Sequence, residues 1–408
     1  MRILFLSQRV PYPPNRGDRI VNYNVVRHLS QRHSVVIGCL SDGPADRDHI
    51  EALNRMGAEV VAVPLSRLGR RWRAMAALIA GREPLTRAYF REPDLVRRVH
   101  DLLATRSFDL AIVSSSGMAS YVEIAALPRI IQFVDLDSQK WQAYADASAV
   151  PKSWLYREES RRLFEYELSV AGKFDRTLFC AERETREFQR LAPHADARTI
   201  RVGVDLDYFQ PRQAARNTHQ LIFTGVMDYR PNSEGADWFC RDVLPRVQAQ
   251  IPEATMTICG ASPNRTVRRL ARLPGVVVTG AVPDVRPYLA RSSVAVIPVR
   301  IARGVQNKLL EAMAMGLPAV TTTAAFGGLD ADVREGVYVA DQPQAFADRV
   351  IRLLQDDDER LAAGRAARAA VEANFRWSDS LAVLDDVIAG VMNRRRSSAA
   401  TAVPVVAT

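Results

Sequence analysis

The chain has 408 residues, of which 48% are hydrophobic, and a formal net charge of +9. This length suits two domains that each bury a core of their own. No apolar run reaches the roughly 18 residues of a membrane span, which excludes a transmembrane helix. The basic excess suits nucleic acid, an anionic membrane or a phosphorylated substrate. Because it accompanies no recognised nucleic-acid-binding module, we expect no nucleic-acid partner.

The N-terminal segment 1–7 is too short and too lightly charged for a signal peptide, and it predicts a buried first strand. The four cysteines lie far apart, and three fall in or beside apolar runs, which favours core thiols in a reducing compartment. We therefore expect a cytoplasmic protein. The cysteines are Cys39, Cys180, Cys240 and Cys259.

Short apolar runs alternate with longer helical patterns along the whole chain. Continuous apolar strands separated by helices indicate parallel sheets covered on both faces, and two such series indicate two doubly wound α/β domains. In the first series the strands are predicted at 2–7, 34–40, 58–63, 109–113, 130–134 and 175–179, with helices near 17–31, 46–56, 66–80, 94–106, 138–147 and 153–171. In the second series the strands are predicted at 220–224, 254–259, 275–279, 293–297, 318–322 and 336–339, with helices near 233–250, 264–273, 284–291, 305–315, 343–355 and 357–374.

The domains are predicted at 1–202 and 220–376, separated by the polar, aperiodic linker 203–219. A last helix at 377–393 is expected to pack back toward the first domain. The remaining segment, 394–408, begins with three arginines and continues with small residues, and it is predicted to be disordered.

One segment of the first domain is strongly basic. Residues 66–107 hold ten arginines against four acidic residues, and 66–82 has the pattern of a basic amphipathic helix that contains Trp72. Such a helix can lie on an anionic leaflet, which would make the protein peripheral to the cytoplasmic membrane. The alternative is a solvated helix whose apolar face covers the sheet.

The most informative segment, 303–320, follows the predicted strand 293–297. In open parallel sheets, ligands bind outside the carboxyl ends of the strands. Gly304 permits a close backbone approach, and a helix that begins near Val305 or Gln306 would offer free N–H groups and its positive dipole end to a diphosphate without a metal.

Three polar residues lie on this predicted helix. Lys308 and Glu311 are three residues apart and share one face, and Asn307 is four residues from Glu311. A cation near the phosphates and a carboxylate one turn deeper can reach the phosphate and the ribose hydroxyls of one nucleotide. The alternative is a surface salt bridge on an ordinary helix.

This segment resembles the family-4 glycosyltransferases of the two-Rossmann-domain type, often called GT-B. Their Glu-x7-Glu motif ends in Glu-Ala-Met-Ala-x-Gly-x-Pro, and its second Glu matches Glu311. Arg303 occupies the position of the first Glu, which in the family contacts the donor sugar. The resemblance covers about residues 1–390. It implies two Rossmann-like domains that face an interdomain cleft, a nucleotide-diphosphate-sugar donor and retention of the anomeric configuration.

The Gly-x-x-Asn-Lys-x-x-Glu variant, together with segments 135–141 and 224–232, resembles one subgroup more closely. These are the sugar transferases associated with PEP-CTERM/exosortase exopolysaccharide systems. The resemblance implies a lipid-linked or growing polysaccharide glycan as the acceptor.

Other loops match the family in part. Gly17 corresponds to a glycine of the loop that reaches the donor phosphates and acceptor in the family, and a helix start there would favour an anion. Gly225 matches the phosphate-binding loop of the second domain. Family members carry basic residues in this loop at positions where this sequence has none, and Arg230 is the candidate to replace that positive charge. Gly280 resembles the loop whose backbone reads the base.

Two carboxylates, Asp135 and Asp137, stand where many family members have a His-containing motif. Either could orient the acceptor hydroxyl or accept its proton. Alternatively, Asp137 or Ser138 caps the helix that contains Trp141. The loop 114–117 lies at the same predicted sheet edge and either lines the acceptor pocket or caps a helix.

No spacing of His, Cys or Asp fits zinc, and the metal-binding Asp-x-Asp motif belongs to a glycosyltransferase fold with one nucleotide domain, so we expect no metal and no cofactor. The leading hypothesis is a metal-independent hexosyltransferase. The alternatives are a sugar-nucleotide epimerase of the same architecture, which would turn over the donor without an acceptor, and an inactive protein that only binds nucleotide-sugars.

Overall fold

The computed structural model of the chain describes residues 1–81, 83–211, 219–302, 304–329 and 333–401, apart from the side chains of residues 67, 79 and 398–401. These residues form two compact units. The first contains Met1–Arg201 and the described residues from Ser378 onward, and the second is Val202–Trp377.

The first unit is built on a parallel sheet with the strand order β3-β2-β1-β4-β5-β6-β7. Phe5 of the central strand pairs with Ile37 on one side and Ile112 on the other. The strands are β1 (Arg2–Ser7), β2 (Ser34–Ser41), β3 (Ala58–Pro64), β4 (Leu110–Ser114), β5 (Arg129–Gln132), β6 (Arg176–Phe179) and β7 (Ala197–Thr199). The helices are α1 (Gly17–Ser30), α2 (Asp46–Arg55), α3 (Arg67–Ala80), α4 (Leu85–Phe90), α5 (Pro93–Thr105), α6 (Asp137–Asp146), α7 (Lys152–Lys173) and α8 (Glu182–Leu191), with a 3-10 helix at Ser116–Tyr121.

The second unit has a parallel sheet of the order β10-β9-β8-β11-β12-β13. Ile222 of β8 pairs with Thr257 on one side and Ala295 on the other. The strands are β8 (Gln220–Thr224), β9 (Thr255–Cys259), β10 (Val276–Gly280), β11 (Val294–Ile297), β12 (Ala319–Thr321) and β13 (Val337–Val339). The helices are α9 (Arg230–Trp238), α10 (Leu244–Gln248), α11 (Arg265–Leu270), α12 (Arg286–Arg291), α13 (Asn307–Ala314), α14 (Thr323–Phe326), α15 (Pro343–Gln355) and α16 (Asp357–Asn374), with a π-helical turn at Phe239–Val243.

The prediction of two doubly wound domains is confirmed: in each sheet the chain starts at a central strand, builds to one side and then crosses to the other. The strands are apolar on both faces because helices cover both sides. Phe133, Phe179 and Phe188 pack against one another at tilted angles within the first core, with ring centroids 5.0–6.2 Å apart. All four cysteines are buried free thiols, and burial raises the pKa of Cys39 to about 12.

Helix α17 (Trp377–Thr401) makes its described polar contacts with the first unit. Asp385 pairs with His28 at 2.9 Å and with Arg32 at 3.2 Å, and Arg394 pairs with Asp196 at 2.9 Å. Residues 394–401, for which a disordered tail was predicted, are part of this helix, and Arg394 and Arg395 pair with Asp196 and Asp175. Residues 402–408 lie outside the described residues.

Several elements differ from the predictions. Strand β7 and helices α4, α8 and α14 were not predicted, since each is short or strongly polar. Residues 203–211 of the predicted linker belong to the second unit, where the Val204 N–H donates to the Phe375 carbonyl at 2.9 Å. Residues 212–218 lie outside the described residues. None of the helices in the described part of the chain combines the length and apolar character needed to cross a bilayer.

The end of α13 is fixed by a glycine and by a neighbouring helix. Gly316 has a φ of +68°, and the Leu317 N–H donates to the Ala312 carbonyl at 3.0 Å, which is a Schellman ending. Arg368 of α16 donates to the Ala314 carbonyl at 2.6 Å. A Cβ at Gly364 of α16 would overlap the Gly316 carbonyl, so α16 and this turn are in backbone contact.

We expect Gly364→Ala to destabilise the protein by about 1–3 kcal/mol, because the added methyl forces α16 away from the end of α13. Gly172→Ala is the matched control, since Gly172 also lies in a helix and a Cβ there meets nothing within 4 Å. The control should be neutral or stabilising by up to about 1 kcal/mol. Urea unfolding followed by circular dichroism measures both, and equal stabilities would contradict the packing described.

Candidate functional site

Three loops meet at the carboxyl edge of the second sheet. The Gly225 N–H after β8 donates to the Cys259 carbonyl at 3.1 Å, and the Gly260 N–H after β9 donates to the Gly280 carbonyl at 3.2 Å. A Cβ at Gly260 would overlap the Gly225 carbonyl, so only glycine allows this approach. The structure thus brings together Gly225 and Gly280, which the sequence analysis singled out separately.

Lys308 lies beside the Gly225 loop. If Gly225 carried a Cβ, that atom would lie 3.3 Å from Lys308 Cε. The Lys308 ammonium lies 5.8 Å from the centre of the Phe223 ring. The ammonium donates to Gln306 Oε1 at 3.0 Å. The order of strands reverses between β8 and β11, and the Lys308 side chain therefore lies at the switch point, where ligands bind in open α/β sheets.

Helix α13 begins at Asn307, one or two residues later than predicted. Gln306 is its N-cap, with extended backbone and no side-chain cap bond, and its carbonyl accepts from the Leu309 N–H at 2.8 Å. Within the described residues, the Gln306 side chain thus leaves the N–H groups of Asn307 and Lys308 for another acceptor. These N–H groups and the dipole end of α13 favour an anion next to the Lys308 ammonium.

The charges of Lys308 and Glu311 are both disfavoured by their surroundings. Desolvation lowers the pKa of Lys308 and raises that of Glu311, and each charge partly offsets the shift of the other. Among the described residues, no ion pair joins these two side chains, and the Lys308 ammonium donates to Gln306. The Lys308 ammonium and the Glu311 carboxyl are thus two poorly solvated polar groups at the switch point of the sheet.

Arg230 begins α9 and its Nε donates to Glu234 at 2.7 Å, one turn along the same helix. Gly304 has a φ of +62°, and its carbonyl lies against Gly328, where a Cβ would overlap it. Arg303, the predicted departure from the family motif, lies outside the described residues.

Two residues near Gly225 were not singled out from the sequence. Gly260 had a readable signal, because each of β8, β9 and β10 ends at or just before a glycine. Asn232 had no such signal in the sequence. Its side-chain amide donates to the Val226 carbonyl at 2.9 Å and lies against Gly225, and only 4% of the residue is exposed. Its side chain supports the turn that presents Gly225 toward Lys308.

In the first unit, Gly17 is the first residue of α1, whose N-cap residue Arg16 makes no side-chain cap bond. Asp18 pairs with Arg9 at 2.9 Å. The 114–117 loop follows β4, and Ser115 caps the 3-10 helix by accepting from the Gly117 N–H at 3.3 Å. Ser115 also accepts from Gln8 after β1, and this contact joins the two loops at the switch point of the first sheet.

Asp135 and Asp137 follow β5 at the carboxyl edge of the same sheet. The Asp135 charge helps to raise the pKa of the buried Cys180 thiol, which places this carboxylate near the end of β6. Asp137 is the first residue of α6 and pairs with Lys140 at 3.0 Å. Leu136 is the N-cap, so the predicted capping by Asp137 or Ser138 was wrong. The buried Glu167 of α7 binds Ser138 instead, and no sequence signal distinguished it within its helix.

Among the described residues, no three His, Cys, Asp or Glu side chains cluster closely enough to hold a metal ion. Among the described residues, the edge of the second sheet offers backbone N–H groups, the Lys308 ammonium and the Glu311 carboxylate, which suit a phosphate ester that carries hydroxyl groups.

We expect Glu311→Gln to reduce the pH dependence of stability. The raised pKa of Glu311 means that the folded state holds this proton more tightly than the unfolded chain. The wild-type free energy of unfolding therefore has its full Glu311 contribution below the ordinary pKa of 4.5 and loses it as pH rises. Urea unfolding at a series of pH values measures the slope. The exposed Glu335→Gln should leave it unchanged, and a pH-independent offset for Glu311→Gln would contradict this account.

Part of the chain is similar to a known protein family. Residues 218–356 match the family described as "Glycosyl transferases group 1". A curated relative, the GDP-mannose-dependent alpha-(1-6)-phosphatidylinositol monomannoside mannosyltransferase of Mycobacterium tuberculosis, is 28% identical over 240 residues. The match covers 52% of this chain and 61% of the relative, so the chain spans less than two thirds of that protein's length.

Two solved structures share the fold along almost the whole chain. Sucrose-phosphate synthase from Thermosynechococcus elongatus has a TM-score of 0.74 at 15% identity and covers 97% of this chain and 100% of its own. Anabaena HepE, in complex with UDP and glucose, has a TM-score of 0.68 at 13% identity over 96% and 100% of the two chains. Residues 218–356 are therefore similar to glycosyl transferases group 1, and the chain has two parallel-sheet α/β domains with the GT-B fold.

Proposed function

We propose that this protein is a retaining, metal-independent glycosyltransferase that moves a sugar from a nucleotide-diphosphate-sugar to a hydroxyl acceptor. The observation that carries the proposal is the Lys308 ammonium beside the Gly225 loop and the open N-terminus of α13. This arrangement lies within residues 218–356, the part of the chain that matches the glycosyltransferase family.

In the proposed reaction, negative charge grows on the diphosphate as it leaves the sugar. The ammonium of Lys308 and the first N–H groups of α13 would stabilise that charge without a metal. A bound diphosphate also favours the protonated form of Lys308, whose charge is otherwise disfavoured by desolvation. Glu311, one turn further along α13, would accept hydrogen bonds from the ribose hydroxyls.

Further residues of the second domain complete the proposed donor site. Gly225, Gly280 and Gly304 bring backbone groups to the carboxyl edge of the sheet, and Gln306 holds the Lys308 ammonium at 3.0 Å. Asn307 belongs to the first turn of α13. We assign Arg230 to the phosphates and Arg303 to the donor sugar as part of the same proposal.

The first domain would present the acceptor. Asp135 and Asp137 supply carboxylates at the edge of its sheet, where one can orient the acceptor hydroxyl or take its proton. Gly17 opens α1 at the same edge and would meet a phosphate group of the donor or of a lipid-linked acceptor.

Names of related proteins suggest substrate classes to test. The mycobacterial relative is named as GDP-mannose-dependent and as acting on a phosphatidylinositol mannoside, whereas the HepE structure contains UDP and glucose. We therefore propose a guanosine or uridine diphosphate sugar as the donor, and a lipid-linked or growing exopolysaccharide glycan as the acceptor.

Helix α3 supports a peripheral contact with the membrane through 66–82. Leu68, Trp72 and Met75 follow an i, i+4, i+7 spacing on one face and are 72%, 73% and 51% exposed. On the other side, Arg73 pairs with Glu92 at 2.8 Å. The large apolar side chains thus face solvent rather than the sheet, with arginines beside them, as in helices that bind anionic leaflets.

A thermal-shift screen of GDP, UDP and their sugar conjugates tests the proposed donor site. A ligand at a hundred times its dissociation constant stabilises the protein by about 2.7 kcal/mol. Lys308→Met should weaken nucleotide diphosphate binding by about tenfold to a hundredfold, because it removes a charge-assisted contact worth about 1.5–3 kcal/mol. Lys308→Arg keeps the cation and should retain more of the affinity.

Arg241→Ala is the control for the same screen, since Arg241 pairs with Asp237 on the surface of the same unit at 2.8 Å. It should leave nucleotide affinity unchanged. Unchanged affinity in Lys308→Met would contradict the proposed site. Tight nucleotide binding without transfer to any glycan or lipid-linked acceptor would instead favour an inactive nucleotide-sugar-binding protein.

Vesicle co-sedimentation tests the membrane contact. The wild-type protein should bind vesicles that contain anionic phosphatidylglycerol and not vesicles of phosphatidylcholine alone, with binding weakened by salt. A Leu68→Ser/Trp72→Ser variant should lose this binding. Leu361→Ser, at an exposed leucine of α16, should not. Equal binding by the two variants would contradict a role for α3.

A further inference from the structure

Glu167 of α7 is a fully buried carboxyl group that binds the start of α6. Its side chain is 0% exposed, and its two oxygens accept from the Ser138 N–H at 3.3 Å and the Ser138 hydroxyl at 2.5 Å. The Asp137 N–H also donates a hydrogen bond to this carboxyl group. Glu167 therefore takes the place of the missing N-cap side chain of α6 and occupies N–H groups that could otherwise bind an anion.

Ser138 is held at a third atom by the same helix. The Ser160 hydroxyl of α7 donates to the Ser138 carbonyl at 2.8 Å. Ser160 and Glu167 are two turns apart and lie on one face of α7. The N–H, the hydroxyl and the carbonyl of the residue that follows Asp137 are thus all bound by α7.

The hydrogen bonds of Glu167 do not require its charge. Burial raises the pKa of Glu167 to about 8, and the nearby Asp137 carboxylate acts in the same direction. A neutral group at this position still accepts from the Ser138 N–H and can donate to the Ser138 hydroxyl. Glutamine has nearly the same shape and likewise offers an acceptor oxygen on one side and a donor on the other.

We propose that Glu167 is the positioning residue that fixes the Asp135–Ser138 loop for the acceptor. This inference rests on the proposed function, because the loop that Glu167 fixes carries Asp135 and Asp137, the carboxylates proposed to orient the acceptor hydroxyl or take its proton. Glu167 itself is buried and does not touch the substrate. It acts by setting where the first turn of α6 begins, and a displacement of about 1 Å at a reacting group can cost about a hundredfold in rate.

The same helix provides a matched control. Glu159 of α7 is 2% exposed and accepts from the Leu85 N–H at 2.7 Å and the Thr86 N–H at 2.9 Å. It therefore binds the start of α4 as Glu167 binds the start of α6. Its hydrogen-bonded partner Thr86 accepts from the Trp141 ring N–H of α6 at 3.2 Å.

The first experiment measures hydrogen–deuterium exchange of peptides from 135–146 and 84–92 in the full-length protein. Glu167→Ala should speed exchange at 135–146, Glu167→Gln should restore it, and Glu159→Ala should instead speed exchange at 84–92. Ser138→Ala keeps Glu167 intact and removes one of its partners, so it serves if Glu167→Ala fails to fold. Unchanged exchange at 135–146 in both Glu167→Ala and Ser138→Ala would overturn the proposal.

The second experiment measures transfer kinetics with the nucleotide-sugar that the thermal-shift screen identifies. Glu167→Ala should lower kcat by about tenfold to a hundredfold with the donor KM within about twofold of wild type, and Glu167→Gln should recover most of the rate. An equal loss of kcat in Glu159→Ala would overturn the positioning role, because general destabilisation would then explain both. A wild-type protein without transfer would overturn the proposed function, whereas the exchange experiment judges Glu167 separately.

Discussion

The second domain depends on a close approach between backbone segments that side chains would prevent. Gly260 lies against the Gly225 carbonyl, and Gly328 lies against that of Gly304. With no Cβ between them, the loops after neighbouring strands bond to one another through their backbones. The sheet edge therefore presents a continuous polar backbone surface, and it needs few side chains to become a binding site for phosphate groups.

The placement of Lys308 follows from this surface. Because Gly225 has no side chain, the Lys308 stem passes close to its backbone, and the ammonium lies where solvation is poor. Glu311 experiences the same surroundings and its pKa moves in the opposite direction. Both groups are held at a free-energy cost that an anionic, hydroxyl-bearing ligand would offset, since it supplies the partners that water does not.

The sequence predicted both sheets, because continuous apolar strands separated by helices are compatible with few folds other than covered parallel sheets. It also indicated the segment around Lys308 and Glu311 through the spacing of its glycine, cation and carboxylate. It could not predict contacts between distant segments. Asn232 and Glu167 sit within ordinary helical patterns, and their roles depend on Val226 and on Ser138 of another helix. A local cap by Asp137 or Ser138 was one alternative for the start of α6, and local spacing cannot reveal that α7 supplies the cap instead.

The grouping of α17 with the first unit has a consequence for how the chain is made. The second unit is a continuous stretch, Val202–Trp377, inserted between two parts of the first. During synthesis, the ribosome completes the second unit before the residues of α17 that bear Asp385 and Arg394 emerge. His28 therefore lacks Asp385, and Asp196 lacks one of its arginine partners, until an entire domain has been synthesised. The first unit thus reaches its final set of contacts last.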